Sequence, residues 1–133
     1  MTLAANAPGS YTSSRQLVNG ADMNNIIQQL NSAKTGIVAG ATQTQAGATQ
    51  LDSAVNTVAT VTTAGDGVRL PKGFVGLEVW IINADADSLQ VYGFGTDTIN
   101  SVATATGVAQ AQGVTIYKCN SVSSAGIANW VSK

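Results

Sequence analysis

Asp85 and Asp87, two apart in the segment ADAD, are the closest this chain comes to a pair of groups that could share chemistry. Paired carboxylates divide general acid and general base work when their surroundings push their pKa values apart. Two in one turn can also hold a calcium ion with help from backbone carbonyls. Asp66 and Asp97 form a second pair, which would meet only if the fold brought them together. Each sits in a glycine-rich stretch, AGDGV or GFGTD, where an aspartate ordinarily caps its own backbone. ADAD lacks the spaced ligands, central glycine and closing glutamate of an EF-hand loop. The expectation is solvated turn aspartates, with no catalytic residue and no metal ligand.

The remaining residue types narrow the chemistry further. Histidine is absent, which removes the Ser-His-Asp and Cys-His nucleophile arrangements. No G-x-S-x-G occurs, and the threonines fall at strand spacing. The glycines of 93–97 do not follow the phosphate-loop order, and no helix pattern follows them. Cys119 is the single cysteine, so neither an intrachain disulfide nor a zinc cluster can form. Its setting, GVTIYKCN, is strand-like, and a thiol there packs as a small apolar group. The chain reads as a non-enzyme without a cofactor, and a small-molecule substrate is not expected. Trp80, Tyr92, Phe94, Tyr117 and Trp130 could line a sugar-binding surface. Trp80, in an apolar strand, reads as core; Trp130 is open between core and interface.

Charge is sparse. The six basic residues, Arg15, Lys34, Arg69, Lys72, Lys118 and Lys133, form no run, and the net charge is -1. Phosphate neutralisation needs clustered Lys and Arg, so a nucleic-acid partner is not expected. Charged residues make up 10% of the chain, against about 25% in ordinary domains. The surface must be built from Ser, Thr, Asn, Gln, Ala and Gly, and weak charge repulsion favours self-association. No apolar run approaches the roughly 20 residues of a membrane-spanning helix. The N-terminus has no positive start and apolar block of a secretory signal. Assembly in the cytoplasm without a membrane partner is expected.

The elements that would position these residues fall in three parts. Residues 1–21 are small and polar, broken by Pro8-Gly9, and read as an extended arm. The spacing predicts a short helix over 22–33, capped by Asp22, with Met23, Ile26, Ile27 and Leu30 on one face and Asn24, Asn25, Gln28, Gln29 and Asn31 on the other. So short a helix must dock its stripe on its own β-domain or on a neighbouring subunit. The helix and a connector, or exposed strand, of low complexity fill 22–50, with GATQ at 40–43 and again at 47–50.

Residues 51–133 read as a β-domain. VNTVATVTT is rich in β-branched residues. Leu77, Val79 and Ile81 point to one side of the next strand and Glu78, Trp80 and Ile82 to the other, which makes that strand a candidate for the centre of the fold. It reads as a hairpin through ADAD with the strand of Leu89 and Val91, and GVTIYKCN and GIANWVS close the chain. The fold class expected is mainly β, a compact antiparallel sandwich or barrel-like domain behind an N-terminal arm and one short helix.

The order NGADMNNIIQQLNSAKTGIVAG, AGATQL, NTVATVTTAGDGVRLP, GLEVWIINADADSLQVYGFGTDTIN and GIANWV resembles small virion structural proteins of tailed bacteriophages, over most of the chain from about Val18. The shared motifs are turn and strand signatures. The resemblance implies a protein of the phage particle, assembled in the host cytoplasm. A capsid decoration (cement) protein fits the small size: a homotrimer that binds the major capsid protein and clasps neighbouring subunits. In that reading Met23, Ile26, Ile27 and Leu30 join the subunits, while Arg15, Arg69 and Lys72, outside the expected core, touch the capsid. A tail fibre or baseplate β-domain that binds host carbohydrate is the alternative.

Overall fold

The computed structural model describes residues 32–103 and 105–133. The arm and the stripe of Met23, Ile26, Ile27 and Leu30 lie outside the described residues. So does the expected helix, except at its end, where Ala33 opens a strand instead.

Successive strands fall in alternate sheets. Strands β1 (Ala33–Val38), β3 (Val55–Thr60), β5 (Glu78–Asn83) and β7 (Thr98–Ile99) belong to one sheet, β2 (Thr49–Gln50), β4 (Gly67–Arg69), β6 (Leu89–Tyr92) and β8 (Val108–Gln110) to the other. Two long strands, β9 (Gly113–Val122) and β10 (Ala128–Ser132), return to the first sheet as a hairpin. The six-stranded order is β1-β3-β5-β9-β10-β7 and the four-stranded order is β2-β4-β6-β8. The chain thus winds round one interior, and the first three strands laid down in each sheet run the same way. Pairs β1/β3, β3/β5, β2/β4 and β4/β6 are all parallel. Parallel neighbours need a crossover, which is usually a helix; here each crossover is a strand of the opposite sheet.

The expected antiparallel architecture therefore needs correcting to two mixed sheets. Among the described strands, antiparallel ladders join β5/β9, β9/β10 and β6/β8. The supposed hairpin through ADAD is also corrected, since β5 and β6 lie in different sheets. The side chains of the turn explain the crossing. Asn83 Oδ1 accepts the Asp85 N–H at 3.0 Å, and Asn83 Nδ2 donates to the Asp87 carbonyl at 2.9 Å. Asp85 Oδ2 in turn accepts the Val61 N–H at 3.0 Å, from the end of the neighbouring strand. The turn is stitched sideways and carries the chain away from its own strand.

Both sheets fill the same core: Val58, Val79, Ile81, Tyr117, Cys119 and Trp130 from the larger, and Val68, Leu89 and Val91 from the smaller. Period-two alternation sets these residues inward. A polar bridge crosses the core at one end. Gln110 of β8 donates from Nε2 to the Ile81 carbonyl at 2.9 Å, and its Oε1 accepts the Tyr117 hydroxyl at 2.8 Å. Asn83 Nδ2 adds a bond to the Gln110 carbonyl at 3.2 Å. Buried polar groups are tolerated when bonded in this way, and the bridge ties the smaller sheet to the larger.

The stretch 35–50, read as a connector or exposed strand, supplies most of β1, all of β2 and a tight loop between them. Gly40 and Gly67 exchange backbone bonds of 2.8 and 3.0 Å. A Cβ on Gly40 would lie 1.9 Å from the Gly47 carbonyl oxygen, so glycine is required there. The Gln43 side-chain amide donates to Asp66 Oδ1, and Gln45 Nε2 reaches the carbonyls of Gly93 and Gly95 at 2.7 and 2.8 Å.

Replacing Tyr117 by Phe leaves the Gln110 oxygen buried without its donor. The expected loss in urea denaturation is about 1–3 kcal/mol with the slope against urea unchanged.

Candidate interaction surfaces

Strand β5 lies between β3 and β9, and its outward residues are Glu78, Trp80 and Ile82. Register sets their neighbours. Trp80 stands beside Val55 of β3 and opposite Ile116 of β9. Ile82 stands beside Thr57 and opposite Val114, while Glu78 faces Lys118, which faces Val131 of β10. Ile116 and Lys133 exchange backbone bonds of 3.0 and 2.9 Å. The outer face of the six-stranded sheet thus carries an apolar field rimmed on one side by Glu78, Lys118 and Lys133. Trp80 is 39% exposed, Val114 55% and Val131 40%. Exposed apolar ground of this kind makes the face a candidate interaction surface.

This corrects the reading of Trp80 as core. Its ring lies on the outer face, where Nε1 donates to Glu78 Oε1 at 3.0 Å. Trp130, left open by the sequence, is fully buried, and so is Tyr92. On the β9–β10 half of the outer face, Glu78, Ile116, Lys118, Val131 and Lys133 line a shallow groove of about 220 Å³.

A second surface is the loop from β4 to β5. Phe74 and Val75 are exposed at its tip, beside exposed Lys72. The loop is held at several points: Leu77 N–H bonds the Phe74 carbonyl at 3.0 Å, Gly76 N–H the Cys119 carbonyl at 2.9 Å, and Gly73 N–H Asp97 Oδ2 at 3.4 Å. Asp97 Oδ1 also accepts the Ala128 N–H at 2.9 Å, so one carboxylate joins this loop to the start of β10. Gly73 has no room for a side chain, because an added Cβ would come within 2.6 Å of the Ala128 Cβ. These contacts anchor the loop beneath its apolar tip. Sequence reading missed it, although the signal was two bulky apolar residues inside a glycine-bounded turn.

The other candidate residues take varied places. Arg69 is half-buried in β4, where Nε donates to Gln50 Oε1 at 2.6 Å and Nη1 to the Gln45 carbonyl at 3.3 Å. Arg15 lies outside the described residues. Asp66 is buried and accepts the Thr63 N–H at 3.0 Å, whereas Asp97 serves the 73 and 128 loops, so the two are committed to different turns. Among the described residues no group of three side chains is placed to hold a metal ion. Cys119 is buried, and burial, followed by the nearby Asp97 charge, pushes its thiol up. The protonated thiol is a poor nucleophile. No protein-family model, curated protein or solved structure matches the chain.

The Val61 N–H, and after it the Asp87 N–H, hold the Asp85 carboxyl below its ordinary 3.8. Because the folded value is the lower one, this contribution to stability is complete above 3.8 and is lost as pH falls through the folded value. Asp85→Asn should remove that part of the acid limb, giving a shallower fall of melting temperature below pH 4, about where a free carboxylate titrates. An unchanged acid limb would show that the turn does not depend on the ionised carboxylate.

Proposed function

We propose that this chain is a structural protein of a tailed-phage particle, a decoration protein that attaches to the outer shell as a trimer and braces neighbouring capsid subunits. The observation that carries the reading is the exposed apolar ground on a body of two sheets wound round one core, with Trp80 at its centre. A rigid body with bare contact surfaces suits assembly. The order of turn and strand motifs, resembling those of small virion proteins, supports the particle context, and the low charge supports close contact between copies.

The mechanism is multivalent clasping. The arm of residues 1–21 and the loop of Lys72, Phe74 and Val75 would be the shell contacts of each copy, with Arg15 adding charge. Arg69 spends two N–H groups on Gln50 and Gln45 and offers the others to a partner. The groove on β9 and β10 faces the next copy. Several weak contacts on one trimer raise effective concentration and slow release.

The exposed Trp80 ring favours one second reading, a fibre or baseplate domain that stacks a host sugar on that ring. Binding on a glycan array that disappears with Trp80→Ala would support it. Tyr92 and Trp130, considered for that role from sequence, are buried and poorly placed for it.

Deleting residues 1–20 should leave a folded oligomer, by light scattering and circular dichroism, that no longer sediments with purified particles. Replacing Phe74 and Val75 together by Ser should weaken co-sedimentation by about tenfold or more, as expected when one contact of a multivalent set is lost. Undiminished attachment of both variants would sink the clasping mechanism.

A further inference from the structure

We propose that the contact surface at Phe74 and Val75 extends over two further turns, taking in Phe94 and Val122, and fits a protein surface whose apolar depression carries a carboxylate for Lys72. The inference rests on the shell-attachment reading and names the chemistry the shell must offer there.

Asp97 carries the argument, because it gathers three turns at one end of the body. Its carboxylate accepts the Gly73 N–H, beside Phe74, at 3.4 Å and the Ala128 N–H, at the start of β10, at 2.9 Å. Its own N–H donates to the Phe94 carbonyl at 2.9 Å and closes the turn that presents Phe94. Val122 is the register partner of Ala128, so the two stand on one side of the sheet. Ala128 is buried, whereas Val122, at the turn end of the β9–β10 hairpin, is exposed. Phe74, Val75, Phe94 and Val122 are half of the large apolar side chains exposed among the described residues. All four thus lie close in the bonding pattern to a single carboxylate. Trp80, Val114 and Val131 belong to the outer sheet face, which this surface leaves uncovered.

Charge decides the partner. The segments 71–77, 93–97 and 122–128 hold two charged residues, Lys72 and Asp97. Asp97 is buried and bonded, so exposed Lys72 is the charge these turns present. Docking apolar side chains beside an ammonium group is costly unless a carboxylate stands opposite it. A lipid surface fits less well, since a single lysine gives little hold on an anionic membrane. The turns are also anchored from below: Gln45 Nε2 bonds the Gly93 and Gly95 carbonyls, on either side of Phe94, at 2.7 and 2.8 Å. Anchored tips lose little conformational freedom on docking and favour a shaped protein surface.

Co-sedimentation of the full chain with purified particles tests this. Phe94→Ser and Val122→Ser, taken singly, should each weaken attachment several-fold, with circular dichroism and oligomer mass unchanged. Val38→Ser, at an exposed apolar position on β1, should attach as the wild type does. Lys72→Glu should weaken attachment more than Lys72→Gln, and added salt should weaken the wild type more than Lys72→Gln. Should Phe94→Ser fail to fold, Val122→Ser and the two lysine variants carry the comparison. Undiminished attachment of Phe94→Ser and Val122→Ser, with the wild type attaching, overturns this inference and leaves the shell reading standing. Equal losses in Val38→Ser, or in the two lysine variants, overturn it as well. A wild type that does not sediment with particles overturns the shell reading and this inference with it. Flotation with phosphatidylcholine–phosphatidylglycerol vesicles that is lost in Phe94→Ser would give the turns a lipid surface instead, and overturns the choice of partner.

Discussion

Because strands β1 to β8 fall alternately in two sheets, every connection between them must cross the rim of one shared interior, and the polar groups at each crossing must find partners there. Buried backbone and side-chain polar atoms are costly unless bonded. The chain meets that demand with short side chains at the crossings: Asn83 and Asp85 at one turn, Asp66 at another, and Asp97 between the loop at 73 and the start of β10. Three of the four carboxylates that looked available for chemistry, Asp66, Asp85 and Asp97, are occupied in holding the chain at these crossings. Gln110 and Tyr117 extend the same solution into the core, where they join one sheet to the other.

The winding also decides what is left for contact. Each strand gives alternate residues to the shared core, so the opposite set on the six-stranded sheet has no sheet above it among the described residues. Two tryptophans divide accordingly: Trp130 packs inside with Cys119 and Ala128, and Trp80 stands outside beside Val55 and opposite Ile116. The apolar field around Trp80 would be a liability on a free monomer. Loop anchoring by Asp97 works in the same direction, since it fixes Phe74 and Val75 where a partner surface can meet them.

Local alternation was readable from the residues and long-range pairing was not. Leu77, Val79 and Ile81 are buried as their spacing requires, and the last two expected strands are present as β9 and β10, whose pairing as a hairpin the sequence did not show. Parallel and antiparallel strands share the same period of two, however, and a polar turn such as ADAD looks alike whether it returns the chain or carries it across. Strand β5 is apolar on both faces, so its pattern alone does not say which face meets the other sheet. Glu78, two residues before Trp80, was the clue that the tryptophan side is the outer one. Strand β1 was hidden by composition: Ala33, Lys34 and Gly36 carry little β signal, and Gly36 has φ +69 inside the strand. The stripe of Met23, Ile26, Ile27 and Leu30 was plain from its spacing, and it lies outside the described residues.

Everything above depends on the chain crossing between sheets after β5 instead of folding back on it. Interstrand nuclear Overhauser contacts in the labelled protein test that most directly. The winding predicts backbone contacts from Trp80 to both Val55 and Ile116, and from Leu89 to Gln110. Direct ladder contacts between residues 78–83 and 89–92, as in a hairpin, would contradict it and remove the basis for both contact surfaces.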